Sequence, residues 1–288
     1  MATDDAPWHR RRLTAEQVVR VHEWLGPVRL LRDMSWNQLD TTVLRVTDGT
    51  DEFVVKAAGK ANHHLLREIT AHEDAVAVLA ASGHAPRLLH ADRERRVLVT
   101  RYLAGELVEG TAAEHDPEVH RQAGRLLRVL HAQDGRVDEE FERSATAGSL
   151  AALDRPHRIP AVQADRVRTV LTAYRPRPVV VVPTHGDWQP RNWLLDAGTV
   201  RVIDVGRFDR RPAMSDLCRL AVQQWRTDAR LEAAFLGGYR HDPRDAGVWP
   251  LLQVREAVGT AVWAHEVGDG RFERQGLRML HEALGAFG

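Results

Sequence analysis

Lysine is nearly missing from this chain: of its 40 basic residues only Lys56 and Lys60 are lysines. A lysine kept on a candidate strand therefore asks for a chemical reason. Lys is a compact point charge on a flexible stem and Arg a wide planar fork, so a tight phosphate pocket accepts one and excludes the other. Cysteine is as scarce. The single Cys218 excludes an internal disulfide and a cysteine zinc cluster, and suits packing within the helix expected around Asp216 to Gln224. The fifteen histidines include the adjacent His63 and His64 but no H-E-x-x-H or comparable spacing, which argues against zinc. No window reaches the roughly 18 to 20 apolar residues that span a bilayer, and the opening MATDDAPWHRRRL lacks the apolar core of a secretion signal. A cytoplasmic protein with no membrane partner is expected. Formal net charge is zero, and there is neither an extended basic tract nor a repeated aromatic platform, so no nucleic-acid partner is expected.

What is present begins with an ordinary globular composition, 43% apolar and 28% charged, over 288 residues. That length exceeds one compact domain and suits two lobes sharing a cleft. The most informative stretch runs from Val179 to Arg207, VVVVPTHGDWQPRNWLLDAGTVRVIDVGR. A valine run ends at Pro183 and delivers a polar turn with His185, Gly186 and Asp187. Asn192 follows in a turn stiffened by Pro190. A hairpin across Asp196 to Thr199 would bring Asp204 back beside Asn192.

Such a set suits phosphoryl transfer. A carboxylate must orient or deprotonate an attacking hydroxyl, and a few oxygen ligands must hold magnesium against the donor's phosphates. Asp187 can fill the first role and Asn192 with Asp204 the second, since magnesium takes one or two protein oxygens and keeps water and phosphate for the rest. Either Asp alone would read as a turn former. The ordering HGD-x4-N followed by ID-x-GR resembles the catalytic and metal loops of kinase-like phosphotransferases, in particular the aminoglycoside phosphotransferase family.

Lys56 closes the strand pattern FVVK, which matches the kinase VAIK lysine by context. Its partner would sit on the next helix, expected over residues 62 to 81, where Glu68 and Glu73 compete. Glu68 shares a face with His72, whereas Glu73 is turned about 140° from Glu68 at ~100° per residue. Glu68 is preferred because Arg-Glu-Ile early in this helix is how the resembling sequences read. Upstream, Thr14 with Gln17 forms a capping box for a helix ending at Gly26-Pro27. Strands are expected near Val28 to Arg32, Thr41 to Val46, Glu52 to Ala57, Pro86 to Ala91 and Val97 to Arg101. The loop over the phosphates holds Ser35, Trp36 and Asn37 and no glycine, which fits antibiotic kinases better than protein kinases.

Carried over residue by residue, the resemblance implies an α+β, bilobal protein-kinase-like fold. A small antiparallel-sheet lobe with one main helix (residues 14–102) would follow a flexible start (1–13) and precede a larger, mostly helical lobe (103–288). It implies ATP or GTP as donor, Mg2+, and transfer to a hydroxyl of a small molecule, often an antibiotic, by a monomer or homodimer. Asp187 would be the base. Lys56 with Glu68 would position phosphates, Asn192 and Asp204 would hold metal, and Ser35, Arg101 and Leu103 would contact the nucleotide, the last two through the backbone of the crossover between lobes. His185 would stiffen the loop, Arg207 brace the metal loop, and Asp216 hold the catalytic loop from behind. Trp188, Trp225, Trp263 and Glu266 are candidates for the acceptor pocket, Trp188 as a large ring beside the acceptor, with core packing the competing role for Trp225 and Trp263. Ser215 is expected to cap a helix, His131 to be a buried hydrogen-bonded residue, and Asp138 to Glu142 to form solvated surface. Because acids and arginines alternate evenly near the C-terminus, a nucleoside, peptide or macrolide acceptor is as credible as an aminoglycoside. A primary-metabolite kinase of choline, homoserine or sugar type, or a catalytically dead binding module, are the alternatives.

Overall fold

The computed structural model describes residues 7–35 and 40–288, so Trp36 and Asn37 lie outside the described residues. Helix α1 (Ala15–Leu25) opens with the expected capping box: the Gln17 N–H donates to Thr14 Oγ1 at 3.2 Å and Gln17 Oε1 accepts the Thr14 N–H at 3.0 Å. The amide of Gln17 is also buried and donates to the carbonyls of Arg95 (2.7 Å) and Ala58 (3.2 Å), which fastens α1 to the sheet below.

That sheet is antiparallel and has the order β1-β2-β3-β5-β4 from strands β1 (Arg29–Asp33), β2 (Thr41–Thr47), β3 (Glu52–Ala58), β4 (Leu88–Asp92) and β5 (Val97–Arg101). Side chains alternate across a strand. Phe53, Val55 and Ala57 of β3 therefore join Leu44, Val46, Val97 and Val99 in a core under Val21 of α1. Lys56 takes the opposite face, where Leu98 meets Leu65 and Ile69 of α2 (His64–Glu73). Period two thus aims Lys56 at α2.

The helix expected as one piece is two. Helix α2 ends at Glu73 and α3 (Ala77–Ala81) resumes after a break in which the Val76 N–H reaches back to the Ala71 carbonyl at 2.9 Å. The break sinks Ala75 and Val76 into the core of the following half, and their burial offsets the lost helical bonds.

Beyond β5 the chain turns mostly helical. It runs through β6 (Glu106–Leu107), α4 (Pro117–His131), β7 (Arg136–Asp138), α5 (Phe141–Ala152), α6 (Ala161–Ala173), β8 (Val179–Thr184), β9 (Trp193–Asp196), β10 (Thr199–Val202) and β11 (Asp209–Arg211). Helices α7 (Cys218–Val222), α8 (Gln224–Thr227), α9 (Ala229–Tyr239), α10 (Trp249–Glu266) and α11 (Gly270–Leu284) complete it. Two small sheets, β10-β9-β6 and β11-β8-β7, carry the loops of interest. Helices α4 and α9 touch backbone to backbone: a Cβ on Gly238 would lie 2.0 Å from the Arg121 carbonyl oxygen. Among the described residues no helix is long and apolar enough to cross a membrane.

Two local expectations fail here. The acidic run at 138–142 is not wholly solvated, because Glu142 enters α5 facing inward, is 1% exposed, and pairs with Arg255 of α10 at 2.8 Å. Ser215 caps no helix. It lies inside a 3-10 turn (Ala213–Leu217), with its hydroxyl buried and without a partner among the described residues.

Candidate active site

The catalytic loop leaves β8 and is held from behind by one carboxylate. Asp216 Oδ2 accepts the His185 N–H at 2.8 Å and His131 Nε2–H at 3.0 Å, and Oδ1 accepts the Gly186 N–H at 2.6 Å. Burial opposes ionisation of Asp216, but the hydrogen bond and charge of His131 outweigh it and keep its pKa below the usual carboxylate range. His131 is in turn fixed by the Tyr239 hydroxyl at 2.9 Å, so it serves as the expected buried, hydrogen-bonded residue. His185 Nε2 donates to the Ile203 carbonyl at 3.1 Å, which leaves Nδ1 to accept the Asp187 N–H at 3.3 Å. Gly186 has φ +80°, and a Cβ there would sit 2.2 Å from the Arg207 carbonyl oxygen, so only glycine lets the two loops touch.

The hairpin behind Asn192 closes as the sequence suggests. Asp196 pairs with Thr199 across Ala197 and Gly198, both at positive φ (46° and 79°), the geometry of a tight primed turn. Its return strand places the Ile203 N–H on the Asn192 carbonyl at 3.0 Å, so Asp204 lies one residue from that contact. Asp204 itself adopts φ +61°, a sparsely populated conformation for a residue with a Cβ and one found where a site over-determines the backbone.

Asp187 is 4% exposed and surrounded by donors. Gln189 Nε2 reaches Oδ1 at 2.6 Å, while Oδ2 accepts from Asn192 Nδ2 (3.0 Å) and from Arg191 Nη2 (2.5 Å) and Nε (3.2 Å). Arg219 Nε stands 3.9 Å from Oδ1. Burial alone would raise this carboxyl, but Arg191, Arg219 and Arg207 outweigh it and hold it at about 2. It is ionised at neutral pH. Gln189, Arg191 and Arg219 were not singled out from sequence, where no spacing marks two arginines among so many.

Across the cleft, Lys56 Nζ lies 2.6 Å from Glu68 Oε1 and 3.2 Å from Asp204 Oδ1. Burial works against its charge, yet Asp204 and Glu68 raise its pKa above the usual lysine value. Glu73 instead pairs with Arg93 at the surface, so the choice of Glu68 agrees with the geometry. His72, one turn beyond Glu68, is lowered to about 4 by burial and by Lys56, and is neutral. The Asp204 side chain is 56% exposed, in contrast to its neighbours. Asn192 spends Nδ2 on Asp187 and leaves Oδ1 without a hydrogen bond among the described residues. One open amide oxygen and one open carboxylate fit magnesium, which completes its shell with phosphate and water. No group of three or more His, Cys, Asp or Glu side chains suited to a metal occurs among the described residues.

The remaining candidates divide. Ser35 does not point its hydroxyl outward: Oγ accepts the Val43 N–H at 3.0 Å within its own hairpin. Arg101 spends its backbone N–H on the Arg87 carbonyl (2.9 Å) and its guanidinium on Asp51, 5.6 Å above the Phe53 ring, whereas Leu103 lies just past the end of β5. Trp188 is not beside an acceptor, because it is 0% exposed and packs edge-on against His185 and Trp193. Trp225 is likewise buried, against Phe235. Trp225 thus takes the competing role of core packing, whereas the burial of Trp188 corrects its expected place beside the acceptor. Glu266 is tied to Arg155 at the surface. Trp263 is half-buried and meets the Phe272 ring edge-on at 5.8 Å, and Phe272 lies 5.6 Å under the Arg219 guanidinium, two contacts from Asp187.

This constellation agrees with sequence comparison: the profile of the phosphotransferase enzyme family matches residues 31–252. The chain belongs to that family. Within it, an aminoglycoside 3'-phosphotransferase of Streptomyces fradiae is 30% identical over 203 residues, covering 62% of this chain and 74% of that protein. Among solved structures, choline kinase LicA from Streptococcus pneumoniae matches with TM-score 0.66 at 16% identity, over 94% of this chain and all (100%) of that one. A thermostable mutant of an aminoglycoside phosphotransferase in ternary complex with ADP and hygromycin B matches with TM-score 0.64 at 14% identity, over 95% and 99% of the two chains. The structural likenesses establish the α+β protein-kinase-like fold, with its five-stranded antiparallel sheet and helical remainder.

Proposed function

We propose that the protein transfers the γ-phosphoryl group of ATP or GTP to a hydroxyl of a small molecule, with residues 14–102 as the nucleotide lobe and 103–288 carrying the catalytic loop, metal loop and acceptor pocket. The observation that carries this reading is the approach of Lys56 to Asp204, 3.2 Å apart across 148 positions, from opposite sides of the cleft. In the transfer, the acceptor oxygen forms a bond to the γ-phosphorus as the bond from phosphorus to the bridging oxygen breaks, the nucleoside diphosphate leaves, and the hydroxyl proton passes to Asp187. Oδ1 of Asp187 keeps room for that proton, since among the described residues only Gln189 hydrogen-bonds to it. Lys56, held charged by Glu68, binds donor phosphates, and Asn192 and Asp204 would hold magnesium. When bound, the ion neutralises charge on the phosphates.

An antibiotic hydroxyl is the acceptor suggested by the aminoglycoside 3'-phosphotransferase relative, whether an aminoglycoside or a nucleoside, peptide or macrolide drug. The likeness to a choline kinase supports a second reading, a primary-metabolite kinase. Incubating purified protein with γ-labelled ATP, Mg2+ and a panel of antibiotics and hydroxylated metabolites tests both. Label in any acceptor supports the reading and names its branch. Nucleotide binding without transfer across the panel would favour the non-catalytic module.

A further inference from the structure

Three arginines lie around Asp187. Arg191 grips the carboxylate from within the loop, and Arg219 approaches from α7 at 3.9 Å. Arg207 stands beside them because its own backbone rests on Gly186. Arg219 is shared: it donates to Thr260 Oγ1 at 3.2 Å and lies 3.7 Å from Glu256, both on α10. Arg207 is partly buried, and its side chain makes no ion pair or hydrogen bond among the described residues. Burial lowers its pKa, Asp187 and Glu256 act against that, and the neighbouring Arg219 and Arg191 add to the lowering.

The charges are unevenly placed across the site. Lys56 is matched by both Glu68 and Asp204, whereas beside Asp187 the guanidiniums of Arg191 and Arg219 share Asp187 and Glu256 and Arg207 has no ion pair among the described residues. A polycation entering here would meet like charge next to the base, whereas an oxyanion would meet planar forks able to bind it in two-point fashion. Choline and the aminoglycosides are cations, so this chain departs from what those acceptors require.

We propose that Arg207 and Arg219 form a subsite for an oxyanionic group, a carboxylate or a phosphate monoester, carried by the acceptor near its reacting hydroxyl. The proposal rests on the phosphotransferase reading above and names its substrate class: a hydroxy acid or a phosphorylated alcohol, with Phe272 as an apolar wall under Arg219.

The test has a binding arm and a turnover arm. Titrating the ADP-loaded protein with lactate and with methyl phosphate, as carboxylate and phosphate probes, should give saturable binding of at least one and so tell the two sources apart. Arg207→Gln and Arg219→Gln should each weaken it by about 10- to 100-fold, the loss of one charge-assisted hydrogen-bonded pair, with Arg207→Lys intermediate. Urea unfolding of each variant separates this loss from misfolding. In turnover, acceptors bearing an oxyanion should outperform their neutral and cationic analogues, and the variants should raise the KM for acceptor while that for ATP moves less than about threefold. Three results would overturn the subsite: undiminished probe binding in the double variant, a cationic best acceptor, or an effect confined to the KM for ATP. The second leaves the phosphotransferase reading standing, whereas absence of transfer together with loss of nucleotide binding would remove that reading itself.

Discussion

Asn192 and Asp187 are locked together by one amide group: Nδ2 of Asn192 donates to the Asp187 backbone carbonyl at 2.8 Å and to its Oδ2 at 3.0 Å. The lock orients the carboxylate and leaves Asn192 Oδ1 without a hydrogen bond among the described residues, open to the proposed magnesium. Replacing Asn192 with Ala removes both the lock and the proposed metal ligand. A drop in kcat of about 100-fold is expected, the scale of losing one preorganised electrostatic group, together with a higher Mg2+ requirement. Steady-state rates across a magnesium titration check this, and an unchanged magnesium midpoint would remove Asn192 from the metal site.

Lys56 offers a test of shape against charge. Its Nζ fits between Glu68 and Asp204 at 2.6 and 3.2 Å, a gap sized for an ammonium. Lys56→Arg keeps the charge but brings a wider head. Its kcat/KM for nucleotide should fall at least about tenfold, a loss of ~1.4 kcal/mol in transition-state binding. Full activity in the arginine variant would mean that charge alone suffices.

Much of this site was legible in the sequence because it is local in the chain. The HGD-x4-N loop and the hairpin returning to Asp204 span a short stretch whose turn residues dictate their own geometry, and Lys56 stood out by the rarity of lysine. Helical angle shows that Glu68 and Glu73 cannot share one cleft, and the resemblance of Arg-Glu-Ile to related sequences is what ranks Glu68 first. The rest depended on tertiary placement. Nothing local shows that Trp188 is buried or that Arg155 claims Glu266, since burial is decided by elements far away in sequence. Nor does a single arginine code reveal that Arg191 and Arg219 converge on Asp187 from two elements. The break between α2 and α3 was missed for the same reason: Ala75 and Val76 follow the helical pattern and leave it only because the neighbouring core takes them.

His72 makes stability pH-dependent in a defined window. Its pKa falls from 6.5 to about 4 on folding, so the unfolded chain binds more protons between those values and stability declines as pH drops through the window. The full effect is on the order of 3 kcal/mol at one pKa unit per ~1.36 kcal/mol. Urea unfolding at pH 7 and pH 5 should therefore show a loss in the parent that His72→Leu lacks in large part. An identical pH dependence in both proteins would assign the neutral state elsewhere.

The role of Asp187 is the claim on which the others depend, and Asp187→Asn tests it with little change of shape. Nucleotide affinity by titration and single-turnover transfer from γ-labelled ATP should be measured on the same preparation. The account predicts ADP binding within about threefold of the parent, since the proposed role sets this side chain on the acceptor and not on the nucleotide, and transfer reduced by at least about 100-fold, the scale of general-base catalysis. Transfer at the parental rate would contradict it.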